Sequence, residues 1–249
     1  MTSTRYDRIG RSYAQTRRTD PRVKARIDAA LGDAATVVNI GAGTGSYEPA
    51  DRTVVAVELS PTMIRQRPAG SAPAVRADAA SLPFRDATFD AALAIFTVHH
   101  WRDTQRGLRE LARVARRQVI LSYDADVEQN FWLVEDYFPE IAALDNANRA
   151  YTSQEIARVL DVQRIEPVPV PADCVDGFMA CYWRRPEAYT DPVVQAGISG
   201  LARLDAAVRE RGTERLRADL ESGAWDARHG HLRALDELEV GYRLIVAGS

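Results

Sequence analysis

The pattern of hydrophobic and polar positions changes period repeatedly along this chain. Short runs of β-branched and other apolar residues predict strands at 36–40, 53–59, 74–78, 90–96 and 118–124. Between the last two runs, helical spacing predicts an amphipathic helix that carries Leu108, Leu111, Ala112 and Ala115. Strands that alternate with helices form βαβ units, whose mostly parallel sheet is covered on both faces. The pattern therefore predicts a doubly wound α/β fold.

A helix is also predicted before the first strand. Asp20 can cap this helix, and Pro21 suits its first position. Gly32 is expected to end it. The apolar side of the helix is formed by Val23, Ile27, Ala30 and Leu31.

The C-terminal half begins with a predicted helix at 152–160 and a strand at 162–170. Prolines at 167, 169 and 171 favour an edge position for that strand, because proline cannot donate to a neighbouring strand. The last segment, 241–248, is expected to return as a strand. Residues 186–239 would then be a helical insertion before the last strand, a lid over the carboxyl edge of the sheet, where ligands bind in such folds.

Three helices are predicted in that C-terminal region. The first opens at Asp191-Pro192 and has an apolar side formed by Val194, Ile198, Leu201 and Val208. Thr213 is expected to cap the second, which carries Leu216 and Leu220. The third is marked by Leu232, Leu235 and Leu238. The whole chain, 1–249, is expected to form a single domain, with 1–32 as an N-terminal helical cap.

The glycine-rich stretch NIGAGTG follows the first predicted strand. Gly41, Gly43 and Gly45 lack a Cβ, so a ligand can approach their main chain closely. Such a turn alone could serve a dinucleotide, a phosphate or another nucleoside cofactor. A dinucleotide fingerprint starting at Gly41 requires glycine or alanine at position 46, which is Ser46 here.

The next two strands also end in carboxylates. Glu58 closes the second strand and could accept the two hydroxyls of a ribose; the alternative is that it pairs with an arginine. Ser60-Pro61 opens a short helix whose Met63 could cover a base. Asp78 ends the third predicted strand and could accept a hydrogen bond from an exocyclic amine, which would select adenine.

Together, these segments resemble the class I S-adenosylmethionine-dependent methyltransferases. The resemblance spans roughly residues 35–125 and rests on NIGAGTG, AVELS, ADAASLPFRDATFD and TVHHW...GLRELARV, in that order. The phrase SLPFRDATFD is typical of small-molecule methyltransferases of the quinone-biosynthesis type. The resemblance implies a Rossmann-like, seven-stranded, mostly parallel sheet with an antiparallel last strand, and S-adenosylmethionine as cofactor.

The resemblance also implies a set of cofactor contacts. The methionine part would be lined by Gly41, Ala42, Gly43 and Gly45. Glu58 would hold the ribose hydroxyls, and Asp78 would contact the adenine amine with Ala79 beside it. Packing near the adenine is implied for Leu59 and Met63. Closure of an N-terminal helix over the methionine end is implied for Tyr6 and Tyr13.

Two positions depart from the family pattern. An acidic residue usually stands two positions before the first glycine, and here that residue is Asn39. The amide can still accept a hydrogen bond from the cofactor's ammonium, but it carries no charge. The helix after the glycine turn is also curtailed, because Pro49 leaves little room before the second strand.

The candidates for a general base lie in FTVHHW, just past the fourth strand. An unperturbed histidine has a pKa suited to a base near neutral pH, which makes His99 and His100 the candidates. Adjacent positions on a helix point roughly 100° apart, so at most one of the two is expected to face the acceptor. The alternative is that they cap the helix or touch the cofactor. His229 and His231 with Cys174 and Cys181 lack tight ligand spacing, so no metal is expected.

Composition limits the class of partner. A net charge of −3 and 46% hydrophobic residues are typical of a globular protein that does not bind nucleic acid. The absence of a long apolar run, of an N-terminal apolar signal and of more than two cysteines favours a cytoplasmic protein without a membrane partner.

The acceptor itself is less well specified. Aromatic residues in 130–138 and 177–185 would suit a small apolar or aromatic molecule if they face the site, although core packing is the alternative. Residues 1–30 carry eight positive and three negative side chains, and with Arg184 and Arg185 they would suit an anionic group. The alternatives to a methyltransferase are a catalytically silent cofactor-binding module and an NAD-dependent oxidoreductase.

Overall fold

The protein is described by a computed structural model, which defines residues 17–124, 127, 130–147 and 152–249. Within these residues, seven strands form one sheet in the spatial order β3-β2-β1-β4-β5-β9-β6. The central strands are β1 (Thr36–Ile40), β2 (Thr53–Glu58), β3 (Ala74–Arg76), β4 (Phe89–Ile95) and β5 (Ala115–Tyr123). The predicted doubly wound, seven-stranded fold is confirmed.

The sheet is parallel except at its last strand. β9 (Tyr242–Gly248) lies antiparallel between β5 and β6 (Val162–Pro167), and β6 forms the edge. The predicted antiparallel return and the predicted edge strand are therefore confirmed. The sequence places the third strand end at Asp78, but β3 ends at Arg76, so Asp78 lies in the loop beyond it.

Three helices flank the first half of the sheet: α1 (Pro21–Leu31), α2 (Pro61–Arg65) and α3 (Thr104–Val114). The Asp20 carboxylate caps α1 by accepting from the amide of Arg22 at 3.0 Å, and Gly32 ends the helix with φ 60°. The apolar face predicted for α3 is wrong at its end. Ala112 is exposed, and Ala115 already belongs to β5, so Val114 closes the buried face instead.

Alternate residues of the sheet enter two separate hydrophobic cores. Val37, Leu93 and Leu121 face the core that contains α1, whereas Val38, Ala92 and Ile120 face the core beneath α3. This alternation is the expected consequence of strands whose successive side chains point to opposite faces. The core on the α1 side continues into residues that follow β6, among them Trp183 and Trp225, both fully buried.

Between β5 and β6, the described residues form a π-helical turn (Leu133–Tyr137), α4 (Glu140–Ala147) and α5 (Ser153–Ala157). The helix predicted at 152–160 is therefore shorter than expected. β6 ends at Pro167, short of the predicted 170, and a two-residue strand β7 (Val170–Pro171) pairs with β8 (Glu237–Leu238) instead.

The helices between β7 and β8 differ from the prediction. They are α6 (Pro192–Gly197), α7 (Ser199–Arg203), α8 (Ala206–Ser222) and α9 (Ala224–His229). Asp191 does cap α6, but the first predicted helix is broken into three. Thr213 is not a cap. It lies inside α8, where its buried hydroxyl accepts from Gln195 Nε2 at 2.8 Å.

The third predicted helix of this region is also wrong. Leu232 lies in a 3-10 turn (Gly230–Ala234), Leu235 is exposed, and Leu238 belongs to β8. Among the helices that the structure describes, none is long and apolar enough to span a bilayer.

Candidate functional site

A pocket of about 280 Å³ opens at the carboxyl edge of the sheet, where β1, β2 and β4 end. Parallel strands bring these ends together, and this edge is where ligands bind in doubly wound folds. Most of the residues proposed from the sequence line it, namely Gly41, Ala42, Gly43, Glu58, Leu59, Met63, Asp78, Ala79 and His100.

The Glu58 carboxylate is fixed by main-chain donors. Its Oε2 accepts from the amide of Gly43 at 2.9 Å, and its Oε1 accepts from the amide of Ser60 at 2.7 Å. The residue is only 8% exposed, yet it lines the pocket. Neither oxygen pairs with an arginine in any hydrogen bond or ion pair found for the described residues, so the alternative of a structural Glu58–arginine pair receives no support.

The glycines of the turn meet different neighbours. Gly41 has φ 69°, and a Cβ there would lie 1.9 Å from Thr97 Oγ1. A Cβ on Gly43, with φ 52°, would meet Met63 Cε at 3.4 Å. Gly45 lies outside the pocket lining, and a Cβ there would approach Glu48 and Arg67. The first two glycines therefore shape the pocket, while the third packs against a buried ion pair.

The other end of the pocket lies past β2 and β3. Ser60 caps α2 by accepting from the amide of Met63 at 3.3 Å, which buries Met63 against the glycine turn. Asp78 Oδ1 accepts from the amide of Ala80 at 2.9 Å, so its carboxylate is held in the loop beside Ala79. One carboxylate and several apolar side chains at this end suit a flat heterocycle that carries an amine.

Asn39, the departure from the family pattern, also lines the pocket. Its side-chain amide donates to Glu48 Oε1 at 3.1 Å, and Glu48 forms a buried ion pair with Arg67 at 2.7 Å. The carboxylate that position 39 lacks is therefore supplied by the neighbouring Glu48, whose charge is balanced by Arg67. The curtailed helix expected after the glycine turn is absent: residues 41–52 form turns and bends, and no helix lies between β1 and β2.

The two adjacent histidines take different positions in a 3-10 turn (Val98–His100). His100 lines the pocket, whereas His99 does not. The ring of His99 lies 3.7 Å from that of His100 and 5.0 Å from that of Tyr123, measured between centroids. The structure therefore separates the two candidate bases: His100 faces the pocket and His99 faces the end of β5.

The sequence pattern does not single out every residue of the lining. Phe96 and Thr97 belong to the stretch FTVHHW, just past β4, in which only the two histidines are proposed as site residues. Arg17 lines the pocket from a segment before α1, and nothing in its local sequence indicates that position. Tyr6 and Tyr13 lie outside the described residues.

The remaining histidines and cysteines lie away from this pocket. His229 Nε2 lies 2.7 Å from Asp136 Oδ2, in a surface cluster with Arg228. Cys174 and Cys181 are buried free thiols, and a hydrogen bond with Cys174 together with burial raises the pKa of the Cys181 thiol. Across the part of the chain that the structure describes, no three potential metal ligands converge.

The donors and acceptors around the pocket fit a nucleoside cofactor. A glycine turn without Cβ atoms lies next to a carboxylate that is held by two amides, and a second carboxylate lies beside apolar side chains. The glycine turn allows the close approach to the main chain that the resemblance implies. The two carboxylates fit the hydrogen-bond acceptors that it implies for the ribose and the adenine. The residues present therefore fit S-adenosylmethionine.

Comparisons with known proteins agree with this geometry. Residues 38–122 match the family described as "Methyltransferase domain". The chain is 30% identical over 161 residues to a demethylmenaquinone methyltransferase of Mycolicibacterium paratuberculosis, covering 61% of this chain and 69% of the relative. It is 32% identical over 125 residues to the protein of that name from Corynebacterium urealyticum, covering 46% of this chain and 54% of the relative. The chain thus spans only about half of one curated relative.

A solved structure is similar over almost the whole chain. It is that of a protein assigned as a methyltransferase of an antibiotic biosynthesis pathway in Anabaena variabilis, with a TM-score of 0.86 and 32% identity. The match covers 94% of this chain and all of that one. By sequence, fold and pocket, this chain belongs to the class I S-adenosylmethionine-dependent methyltransferases.

Proposed function

We propose that the protein transfers the methyl group of S-adenosylmethionine to a small-molecule acceptor. The observation that carries this proposal is the pocket itself, in which the amide-held carboxylate of Glu58 and the glycine turn share one cavity with His100 and Phe96. The groups proposed to bind the cofactor thus line the same cavity as a histidine and an apolar ring. Membership of the methyltransferase family argues against the alternative of an NAD-dependent oxidoreductase.

We assign the cofactor contacts by the placement of each side chain. Glu58 would accept the ribose hydroxyls, and Asp78 would accept the adenine amine between Leu59, Met63 and Ala79. Gly41, Ala42 and Gly43 would lie against the methionine part, with Gly45 shaping the turn from outside the lining. Tyr6 and Tyr13 remain candidates for closure over the same end.

S-adenosylmethionine, held by Glu58 and the glycine turn, would supply a methyl group activated by a positive sulfur, which would leave with the carbon–sulfur electron pair as the acceptor's lone pair took its place. Where the acceptor loses a proton, we propose that His100 removes it, because His100 is the histidine that lines the pocket. His99 would then support His100 through ring contact.

The acceptor class follows from the aromatic side chains beside the pocket. The rings of Phe96 and Phe178 lie 5.2 Å apart, and Tyr242 lies 5.4 Å from Phe96 and 4.9 Å from Phe178. Phe96 lines the cofactor pocket on one side and a narrow apolar gap on the other. We therefore propose an apolar or aromatic acceptor.

We further propose that residues 1–249 act as one methyltransferase domain. Residues 1–32 would form its cap and 186–239 its lid. The single domain is supported by the shared core, in which Leu216 and Trp225 belong to the same cluster as Ile27 of α1. A cytoplasmic location is proposed on the two free cysteines.

Calorimetric titration with S-adenosylmethionine, S-adenosylhomocysteine and NAD tests the cofactor. We expect binding of the first two and none of NAD. Transfer is then tested by incorporation of a labelled methyl group into a panel of quinones and aromatic carboxylates, beginning with demethylmenaquinone because two relatives carry that name. Binding without transfer to any acceptor would favour the catalytically silent module, and NAD binding alone would contradict the proposal.

A further inference from the structure

A buried ion pair joins the segment before α1 to the segment after β7. Arg17 Nε and Nη2 donate to the two carboxylate oxygens of Asp176 at 2.5 and 3.1 Å. The side chain of Arg17 is 7% exposed, and that of Asp176 is fully buried. Removing one partner of such a pair leaves a buried charge without compensation, which is far more costly than losing an exposed pair.

The same carboxylate also reaches the glycine turn. Tyr47 Oη donates to Asp176 Oδ2 at 2.7 Å, and burial together with the Asp176 charge raises the pKa of Tyr47. Tyr47 is 1% exposed and adopts φ 65°, a left-handed conformation that is strained for a tyrosine. Its amide donates to Thr19 Oγ1 at 3.3 Å. Asp176 thus connects three separate chain segments.

Arg17 is the member of this group that lines the pocket. Its guanidinium carbon lies 5.7 Å from the ring centre of Phe96, at the end of β4. Asp78 and Ala79, the proposed adenine contacts, lie past β3, the edge strand that is separated from β4 by β2 and β1. Arg17 is therefore at the end of the pocket proposed for the methionine part, and a guanidinium suits the carboxylate of that part.

We propose that Asp176 is a positioning residue for the cofactor site. It fixes the Arg17 guanidinium in the wall of the pocket and holds Tyr47, and with it the end of the glycine turn, in its strained conformation. The segment after β7 thereby sets how tightly the methionine end is bound. This inference rests on the proposed function only for the identity of the ligand.

The test compares Asp176→Asn with Asp173→Asn. Asp173 lies three residues before Asp176 in the same segment after β7 and pairs with Arg22, but its side chain is 82% exposed, which makes it a matched control. Two ligands are titrated: S-adenosylhomocysteine, which has the amino-acid part, and 5′-methylthioadenosine, which lacks it. For Asp176→Asn we expect about tenfold weaker binding of the first and a change of less than about twofold for the second. Asp173→Asn should match the wild type for both.

Equal weakening of both ligands would indicate a merely structural role and overturn the proposal, as would unchanged affinity for both. If Asp176→Asn does not fold, Tyr47→Phe decides. It keeps the ring and the ion pair but loses the hydroxyl, and we expect about threefold weaker binding of S-adenosylhomocysteine alone. No loss, or an equal loss for both ligands, would overturn the proposal.

Hydrogen exchange in the ligand-free protein separates this inference from the proposed function. Exchange of the amides at 41–47 should be faster in Asp176→Asn, or in Tyr47→Phe, than in Asp173→Asn. If the wild type bound neither ligand, the proposed function would be contradicted, while the exchange rates would still decide whether Asp176 holds the turn. Unchanged exchange would overturn the positioning role.

Discussion

The amide of Gly43 donates to Glu58 Oε2 at 2.9 Å, and this bond joins the glycine turn after β1 to the end of β2. The second oxygen of the carboxylate is held by the amide of Ser60. Because each carboxylate oxygen has two acceptor sites, both can accept a further hydrogen bond from a ligand. The carboxylate is thus oriented before any ligand binds, which reduces the entropy lost on binding.

Replacing Glu58 with glutamine should weaken cofactor binding. The amide group keeps one acceptor oxygen but places an NH2 group against a main-chain donor, and the charge is lost. We expect the Kd for S-adenosylhomocysteine to rise by about tenfold or more in Glu58→Gln, and further in Glu58→Ala. Calorimetry measures the change, with Glu166→Gln on the edge strand as control. Unchanged affinity would remove Glu58 from the ribose site.

Gly41 and Gly70 both have positive φ, so a comparison of their alanine variants separates a steric clash from backbone strain. Gly41→Ala adds a Cβ 1.9 Å from Thr97 Oγ1, whereas a Cβ on Gly70, with φ 83°, meets no atom within 4 Å. Gly70→Ala should therefore cost about 1 kcal/mol in the free energy of unfolding, from strain alone. Gly41→Ala should cost clearly more, and it should also abolish cofactor binding. Denaturant unfolding of both variants checks this, and equal losses would contradict the steric role of Gly41.

The parts of the fold that could be predicted are those set by local sequence. Parallel strands buried on both faces give continuous apolar runs, and the carboxyl ends of such strands meet at one edge, so Glu58 and Asp78 could be placed before the structure. The helices after β7 could not be placed correctly. Thr213 has the residue type of a cap, yet tertiary packing buries it inside α8 against Gln195.

Contacts distant in sequence gave no local signal. Arg17 and Asp176 lie 159 positions apart, and only the folded chain brings them together. The sequence shows that Asn39 departs from the family pattern. It does not show that Glu48 lies beside Asn39 and supplies a carboxylate there. The pattern of a single sequence predicts helices, strands and the points where they end. It does not predict which distant side chains pair.

The two histidines should differ in their effect on turnover. His100 lines the pocket, and the ring of His99 packs against it and Tyr123. If His100 is a general base, His100→Gln should lower kcat by about a hundredfold, with little change in the Kd for S-adenosylmethionine. His99→Gln should have a smaller effect on kcat. Turnover of the best acceptor from the panel measures both, and if neither variant loses at least about tenfold, no base acts at this turn.

Acid should destabilise the protein partly through Asp20. Burial tends to raise the pKa of this carboxyl, but the hydrogen bonds from Arg22 and Val175 outweigh burial and hold the pKa below its usual value of 3.8. A lowered pKa in the folded state means that the unfolded state binds the proton more readily. The stability from Asp20 is therefore fully present well above pH 3.8 and is lost as the pH falls below that value towards the folded-state pKa.

Asp20→Asn removes this titration while keeping a residue that can cap α1. Because it loses charge-assisted hydrogen bonds, the variant should unfold with a free energy about 1–3 kcal/mol lower than wild type near neutral pH. That deficit should shrink as the pH falls below about 4, where wild-type Asp20 also becomes protonated in the unfolded chain. Denaturant unfolding at several pH values measures the difference, with the exposed Asp33→Asn in the turn after α1 as control. If the difference in the free energy of unfolding stayed constant down to acid pH, the charged, hydrogen-bonded form of Asp20 would not be a source of stability.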